Sequence, residues 1–146
     1  MYLRDGFPYP YTREDADSWI DMIRKNRKDH VFAIEVDGEA AGGIGLHPLS
    51  DVYRFNVEMG YWLSEMHWGK GIITEAIGLV VHDAFTRHQW VRIFAGVFSN
   101  NPASMRVLEK NGFKKEAIHR SAVKKGTLFM DEIIYALLKE EWKNNQ

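Results

Sequence analysis

Residues 58–75 read EMGYWLSEMHWGKGIITE, and this stretch decides the fold: an apolar strand ending at Leu63 runs through a short turn into Gly69-Lys70-Gly71, where a helical pattern begins. A strand that enters a helix through two closely spaced glycines is suited to receive an anion. The N–H groups of a first helical turn have no intrahelical partner, the helix dipole adds partial positive charge, and glycine lets main chain approach a phosphate closely. Downstream, Ile73, Ile77, Val80, Val81 and Ala84 form a wide apolar stripe, which predicts a central packing helix from Gly71 to about Arg87. Val91 to Val97 is a nearly continuous apolar run, as in a strand covered on both faces. A helix joins the two strands, so 56–63 and 91–97 are expected to be parallel neighbours. Ligands of such sheets sit beyond the carboxyl ends of the strands, where the glycine turn falls.

Upstream, Thr12 with Asp15 gives an N-cap, and Ala16, Trp19, Ile20 and Ile23 share one face of a helix predicted over 13–27. Val31 to Val36, the turn Asp37-Gly38 and Ala41 to His47 read as a hairpin. Its second strand is thinned by Gly42, Gly43 and Gly45, the mark of a close backbone or ligand approach, or of a bulge. After Asn100-Asn101-Pro102 a short helix over 103–110 ends at Asn111-Gly112, and 113–138 reads as two strands joined at Lys125-Gly126. Met1 to Tyr11 holds two prolines and a glycine among side chains that favour burial, like a segment from the middle of a fold. The element order predicts one mixed α/β sheet with helices on both faces.

The 146 residues, 45% of them hydrophobic, suffice for one core and one domain spanning 1–146. A net charge of −1 provides no global field toward nucleic acid or anionic lipid. The absence of cysteine removes disulfides, thiolate metal sites and a cysteine nucleophile together. With no apolar run of bilayer length and no signal-peptide pattern, the expected location is the cytoplasm, away from membranes. None of the six histidines pairs with another at i,i+4 beside a carboxylate, so no metal is expected. The Gly-x-Gly carries neither a Walker lysine pattern nor the full dinucleotide fingerprint. Lys114-Lys115 and Lys124-Lys125 read as solvated hairpin charges rather than an RNA surface.

Four stretches together resemble the GNAT superfamily of N-acetyltransferases, in particular its branch of ribosomal-protein alanine acetyltransferases. They are Phe7 to Ala16 (FPYPYTREDA), Glu58 to Leu63 (EMGYWL), His67 to Ala76 (HWGKGIITEA), and Asn100 to Ser104 (NNPAS) continuing to Glu109 to Phe113 (EKNGF). A weaker fifth runs from Asp131 to Tyr135. The order matches the family's across most of the chain. Met66 stands where the family has Gln or Arg, and the usual first strand and helix are lacking. The domain is thus expected to be N-terminally short, and to expose a sheet edge or complete itself as a homodimer.

The resemblance implies a mixed, mostly antiparallel sheet with a central, splayed parallel pair of strands. It also implies acetyl-CoA as co-substrate and a small-molecule or peptide amine as acceptor. His67, Trp68, Gly69, Lys70, Gly71, Ile72 and Thr74 would hold the pyrophosphate. Tyr61, Trp62 and Leu63 would pair their backbone with the pantetheine arm, one N–H facing the thioester carbonyl. Asn101 would bind the arm, and Lys110 or Arg106 would reach the 3′-phosphate. Glu58 matches a base used by some relatives, or else is a strand carboxylate that faces solvent or pairs with Arg54. Ser104 stands where many relatives carry a tyrosine acid, or else is a first-turn helix serine. Trp62 and Trp68 either line the acceptor pocket or pack at its rim. A non-catalytic acyl-CoA-binding module on the same fold is the alternative function.

Overall fold

The computed structural model describes residues 12–26 and 28–145; the segment Met1 to Tyr11, including the FPYPY part of the family motif, lies outside them. In chain order the elements are α1 (Arg13–Lys25), β1 (His30–Val36), β2 (Glu39–Pro48), β3 (Asn56–Leu63), α2 (Ile72–Arg87), β4 (Arg92–Phe98), α3 (Pro102–Lys110), β5 (Lys114–Lys125), β6 (Leu128–Leu138) and α4 (Lys139–Asn144). Single 3-10 turns at Asp51–Tyr53 and Glu65–His67 frame β3.

The first helix starts at a reciprocal cap. Thr12 Oγ1 accepts the Asp15 N–H at 3.2 Å, and the Asp15 carboxylate accepts the Thr12 N–H at 2.8 Å. The helix ends at Lys25, two residues short of the expected end. Asp37 and Gly38 both adopt left-handed backbone (φ 53° and 84°), which closes the β1–β2 hairpin tightly.

The six strands form one sheet in the order β1-β2-β3-β4-β6-β5. Every neighbouring pair is antiparallel except β3 with β4, which pairs in parallel as expected, but only over Asn56–Glu58 with Arg92–Phe94. Two of the three bare glycines of β2 are explained by β3, while at Gly45 a Cβ would stand 2.9 Å from His47 Nε2 of β2 itself. A Cβ on Gly42 would collide with the Trp62 carbonyl, and one on Gly43 would stand 2.9 Å from Trp62 Nε1, so the indole lies directly on the glycine backbone. The close approach is therefore made within the protein.

Val57 and Met59 of β3, Ile93, Ala95 and Val97 of β4, and Ile133, Tyr135 and Leu137 of β6 point to one face of the sheet. There they meet Ile77, Val80, Val81, Ala84 and Phe85 of α2 and Leu108 of α3, which bury the core. The short α4, absent from the sequence reading, joins this layer through Trp142, whose ring centroid is 5.5 Å from that of Phe85. Among the described residues no helix is long and apolar enough to cross a membrane.

Candidate active site

Beyond Glu58 and Phe94, β3 and β4 stop pairing, although each continues to the top of the sheet, to Leu63 and Phe98. A wedge opens between them. The Leu49 N–H bonds the Asn56 carbonyl and the Ser64 N–H bonds the Ala41 carbonyl, so even-numbered residues of β3 direct their backbone groups toward β2. By strand alternation the N–H groups of Tyr61 and Leu63 face the wedge. The Leu63 carbonyl is taken by the indole N–H of Trp68 at 2.9 Å, which pins the following loop against the end of the strand.

That loop delivers the glycines. Gly69 and Gly71 have φ of 73° and 80°, and a Cβ on either would meet nothing within 4 Å. Glycine is required here by backbone conformation rather than by crowding. Gly71 is the N-cap of α2 and its carbonyl accepts the Glu75 N–H, so the N–H groups of Ile72, Ile73 and Thr74 open onto the same end of the sheet. Beside them, His67 Nδ1 is buried with no hydrogen-bond partner. Lys70 is exposed.

Side chains reach the wedge from opposite faces. Tyr61 pairs with the buried Ile44 and so points to the core face, where its Oη is 2.6 Å from Ser104 Oγ of α3. Burial pushes the Tyr61 phenol up to about 12, partly offset by that hydrogen bond. Ser104 is fixed in turn: its N–H donates to Asn101 Oδ1 at 3.1 Å, the N-cap bond of α3, with Pro102 in the first turn. Glu58 lies on the other face, opposite His47 of β2 and half-buried. Arg54 hydrogen-bonds the Asp51 carbonyl at 3.1 Å and rests on the Phe55 ring at 4.8 Å. Glu132 of β6 shares the Glu58 face, because it pairs with Phe98, which is in phase with Phe94. Its carboxylate sits over Gly96, where a Cβ would come within 2.5 Å, and His119 Nδ1 is 3.5 Å away.

The site residues expected from the sequence thus fall in three groups around one opening: Tyr61 to Leu63 along its edge, His67 to Thr74 at its head, Glu58 and Ser104 on its two sides. Lys110 is apart from these, exposed at the far end of α3. That end is nevertheless tied to the head of α2, since Asn111 Nδ2 donates to the Thr74 carbonyl at 3.1 Å. Trp62 rests against Gly43 of β2, on the same face as Glu58. Unforeseen were the Tyr61 phenol, read only for its backbone, and Glu132 with its cradle at Gly96. Neither carries a local signal, since Tyr61 and Ser104 are 43 residues apart. Among the described residues no three His, Asp or Glu side chains gather to hold a metal.

A parallel pair that parts above a glycine-headed helix, with a strand edge left open, is the arrangement expected from the resemblance. Residues 1–114 match the acetyltransferase (GNAT) domain family. The chain belongs to the GNAT acetyltransferases. It is 48% identical to the probable N-acetyltransferase YjcK of Bacillus subtilis, over 94% of this chain and 83% of that protein. A crystal structure of a probable acetyltransferase superimposes with a TM-score of 0.79 at 30% identity, covering 89% of this chain and 73% of the other. RimJ of Mycobacterium smegmatis, solved with CoA-disulfide, gives 0.79 at 27%, covering 88% of this chain and 63% of that one. This GNAT chain is an acetyl-CoA-dependent N-acetyltransferase. The residues present suit that co-substrate: left-handed glycines with open space before them, first-turn N–H groups, an orphaned imidazole nitrogen at the loop, and unpaired strand edge in the wedge.

Proposed function

We propose that this chain is a cytoplasmic enzyme that acetylates primary amines, with the α-amine of a peptide or protein N-terminus as the preferred acceptor. The observation that carries this reading is the parting of β3 and β4 immediately after Glu58, directly below the Gly69–Gly71 loop. Acetyl-CoA supplies an acyl group activated as a thioester. In this reading the N–H groups of Gly69 to Thr74 hold the diphosphate, with His67, Trp68 and Lys70 around them. The pantetheine arm lies in the wedge against Tyr61, Trp62 and Leu63, as an added strand would. Asn101 meets the arm through its amide nitrogen, since its oxygen caps α3, and Lys110 reaches the outer phosphate.

The acceptor enters on the Glu58 face. Glu58 takes a proton from the amine as nitrogen attacks the carbonyl carbon, and the N–H of Tyr61 or Leu63 holds the developing oxyanion. The C–S bond then breaks toward the opposite face, where the Ser104 hydroxyl meets the departing sulfur. Two features support an α-amine. Its deprotonation costs roughly 3.5 kcal/mol less than that of a lysine side chain, and relatives of this chain include a ribosomal-protein-serine acetyltransferase of Escherichia coli, 28% identical over 79% of this chain and 64% of that protein. Glu132 lies on the same face of the sheet as Glu58, two strands away, and its charge on that face favours a cationic acceptor over an anionic one. A thiol-release screen across α-amino peptides, free amino acids, polyamines and aminoglycosides tests the assignment. Peptides should turn over fastest; faster turnover of polyamines or aminoglycosides would move the acceptor class, and release with none of them would return the chain to the acyl-CoA-binding alternative.

A further inference from the structure

We infer that Tyr61 is a positioning residue for the leaving-group side of the reaction: its phenol holds the Ser104 oxygen so that the serine hydrogen points at the departing sulfur. The inference rests on the site reading above and assigns a part to a side chain otherwise counted only for its backbone. Tyr61 Oη lies 2.6 Å from Ser104 Oγ and 3.4 Å from the Ser104 carbonyl oxygen, and at the shorter contact either oxygen can be the donor. In this proposal the phenol donates to Oγ, because a phenol is the stronger donor of the pair and an alcohol oxygen the better acceptor. With its oxygen occupied by Tyr61 and its backbone fixed by the Asn101 cap, Ser104 retains one mobile feature, the hydrogen.

Tyr61 does not itself surrender a proton. Burial holds the phenol near 12, whereas a thiol such as the leaving group titrates near 8.5, so transfer from phenol to thiolate runs uphill by about 3.5 pKa units. The balance of the step is therefore simple. Nitrogen bonds to the carbonyl carbon, the C–S electron pair goes to sulfur, the amine proton goes to Glu58, and the thiolate leaves hydrogen-bonded to Ser104 and is protonated from water after release. The pair works by strengthening as charge develops on sulfur, since a hydrogen bond to a charged atom is worth more than one to a neutral thioester.

The test compares Tyr61→Phe, Ser104→Ala, the double variant and Ser104→Thr by steady-state kinetics and by acetyl-CoA calorimetry on the full chain. Tyr61→Phe should lower kcat about 3- to 15-fold, and Ser104→Ala about 10- to 100-fold, with acetyl-CoA affinity and KM within about twofold of the parent. The double variant should be no slower than Ser104→Ala alone, because the phenol acts only through the serine. Ser104→Thr, which keeps a hydroxyl, should retain most of the rate and its dependence on Tyr61. Multiplicative losses in the double variant, a loss seen only in KM, or full kcat in Tyr61→Phe would each overturn the proposal. If the parent itself binds no acetyl-CoA, the site reading fails instead, which separates the two.

Discussion

Glu58 and Ser104 lie on opposite sides of the sheet at the wedge, and under the proposed mechanism this fixes the direction of reaction more firmly than either residue alone. An amine deprotonated on one face and a sulfur received on the other define a path through the plane of the strands. Glu58→Gln keeps the shape and removes the proposed base; kcat should fall by about 10²–10⁴-fold at neutral pH with acetyl-CoA affinity retained in calorimetry. A different titration governs stability. His88 stacks on Trp90 with ring centroids 4.2 Å apart, and its pKa is held below the ordinary value first by burial and then by His30, while Asp83 acts the other way and Arg87 adds to the depression. An unfolded histidine takes up its proton near pH 6.5, whereas the folded one resists. The unfolded state therefore binds more protons just below that pH, and stability is lost as pH falls from about 6.5 toward the folded pKa. Between pH 7.5 and 5.5 the parent should lose more thermal stability than His88→Gln, as read by melting curves in matched buffers. The sequence pointed to Glu58 and Ser104 as candidates because family motifs contain them; it was silent on Tyr61 with Ser104 and on His88 with Trp90 because folding alone creates those contacts.

The loop from Ser64 to Gly71 and the helix it starts behave as a unit. Trp68 ties the loop to the Leu63 carbonyl, and the two left-handed glycines turn the chain so that the first N–H groups of α2 face outward. Gly71→Ala meets no steric obstacle, so its effect isolates the backbone: a non-glycine residue at φ 80° costs about 1–2 kcal/mol. Melting temperature should drop by several degrees, and acetyl-CoA affinity should weaken more than that of a distant substitution with the same melting temperature, as calorimetry would show. The bounds of β3 were legible to the residue, because Val57, Met59, Tyr61 and Leu63 alternate cleanly between polar turns. Its three-pair contact with β4 was not, since the point at which two strands part leaves no mark on the alternation of either. The 3-10 turn Glu65–His67 and the six-residue α4 were also invisible: each is too short for periodicity to register, and α4 persists because Trp142 docks on His82 and Phe85 of α2.

Across the molecule one layer of helices covers the core face of the sheet. The apolar stripe of α2 announced that layer, but the insertion of β6 between β4 and β5 was not readable, because antiparallel order at the end of a sheet leaves no mark on alternation. The consequence is that β4 is bonded along its whole length to β6, Arg92↔Leu138 to Phe98↔Glu132, and cannot follow β3 outward. The wedge is thus set by a strand clamped to β6 on one side and by the loop that Trp68 ties to β3 on the other. Phe85, fully buried and in contact with Trp142, is the side chain that couples α2 to the C-terminal helix, and it lies at the end of α2 far from the glycine loop. Phe85→Ala should cost about 3–5 kcal/mol and lower the melting temperature by roughly 6–20 °C. Well below that transition the wedge should remain intact, because β4 is still clamped by β6 and the loop by Trp68. Acetyl-CoA affinity at 10 °C should then match the parent; a large loss of affinity in a variant that is still fully folded by circular dichroism would mean that the opening is maintained by helix packing and not by the sheet.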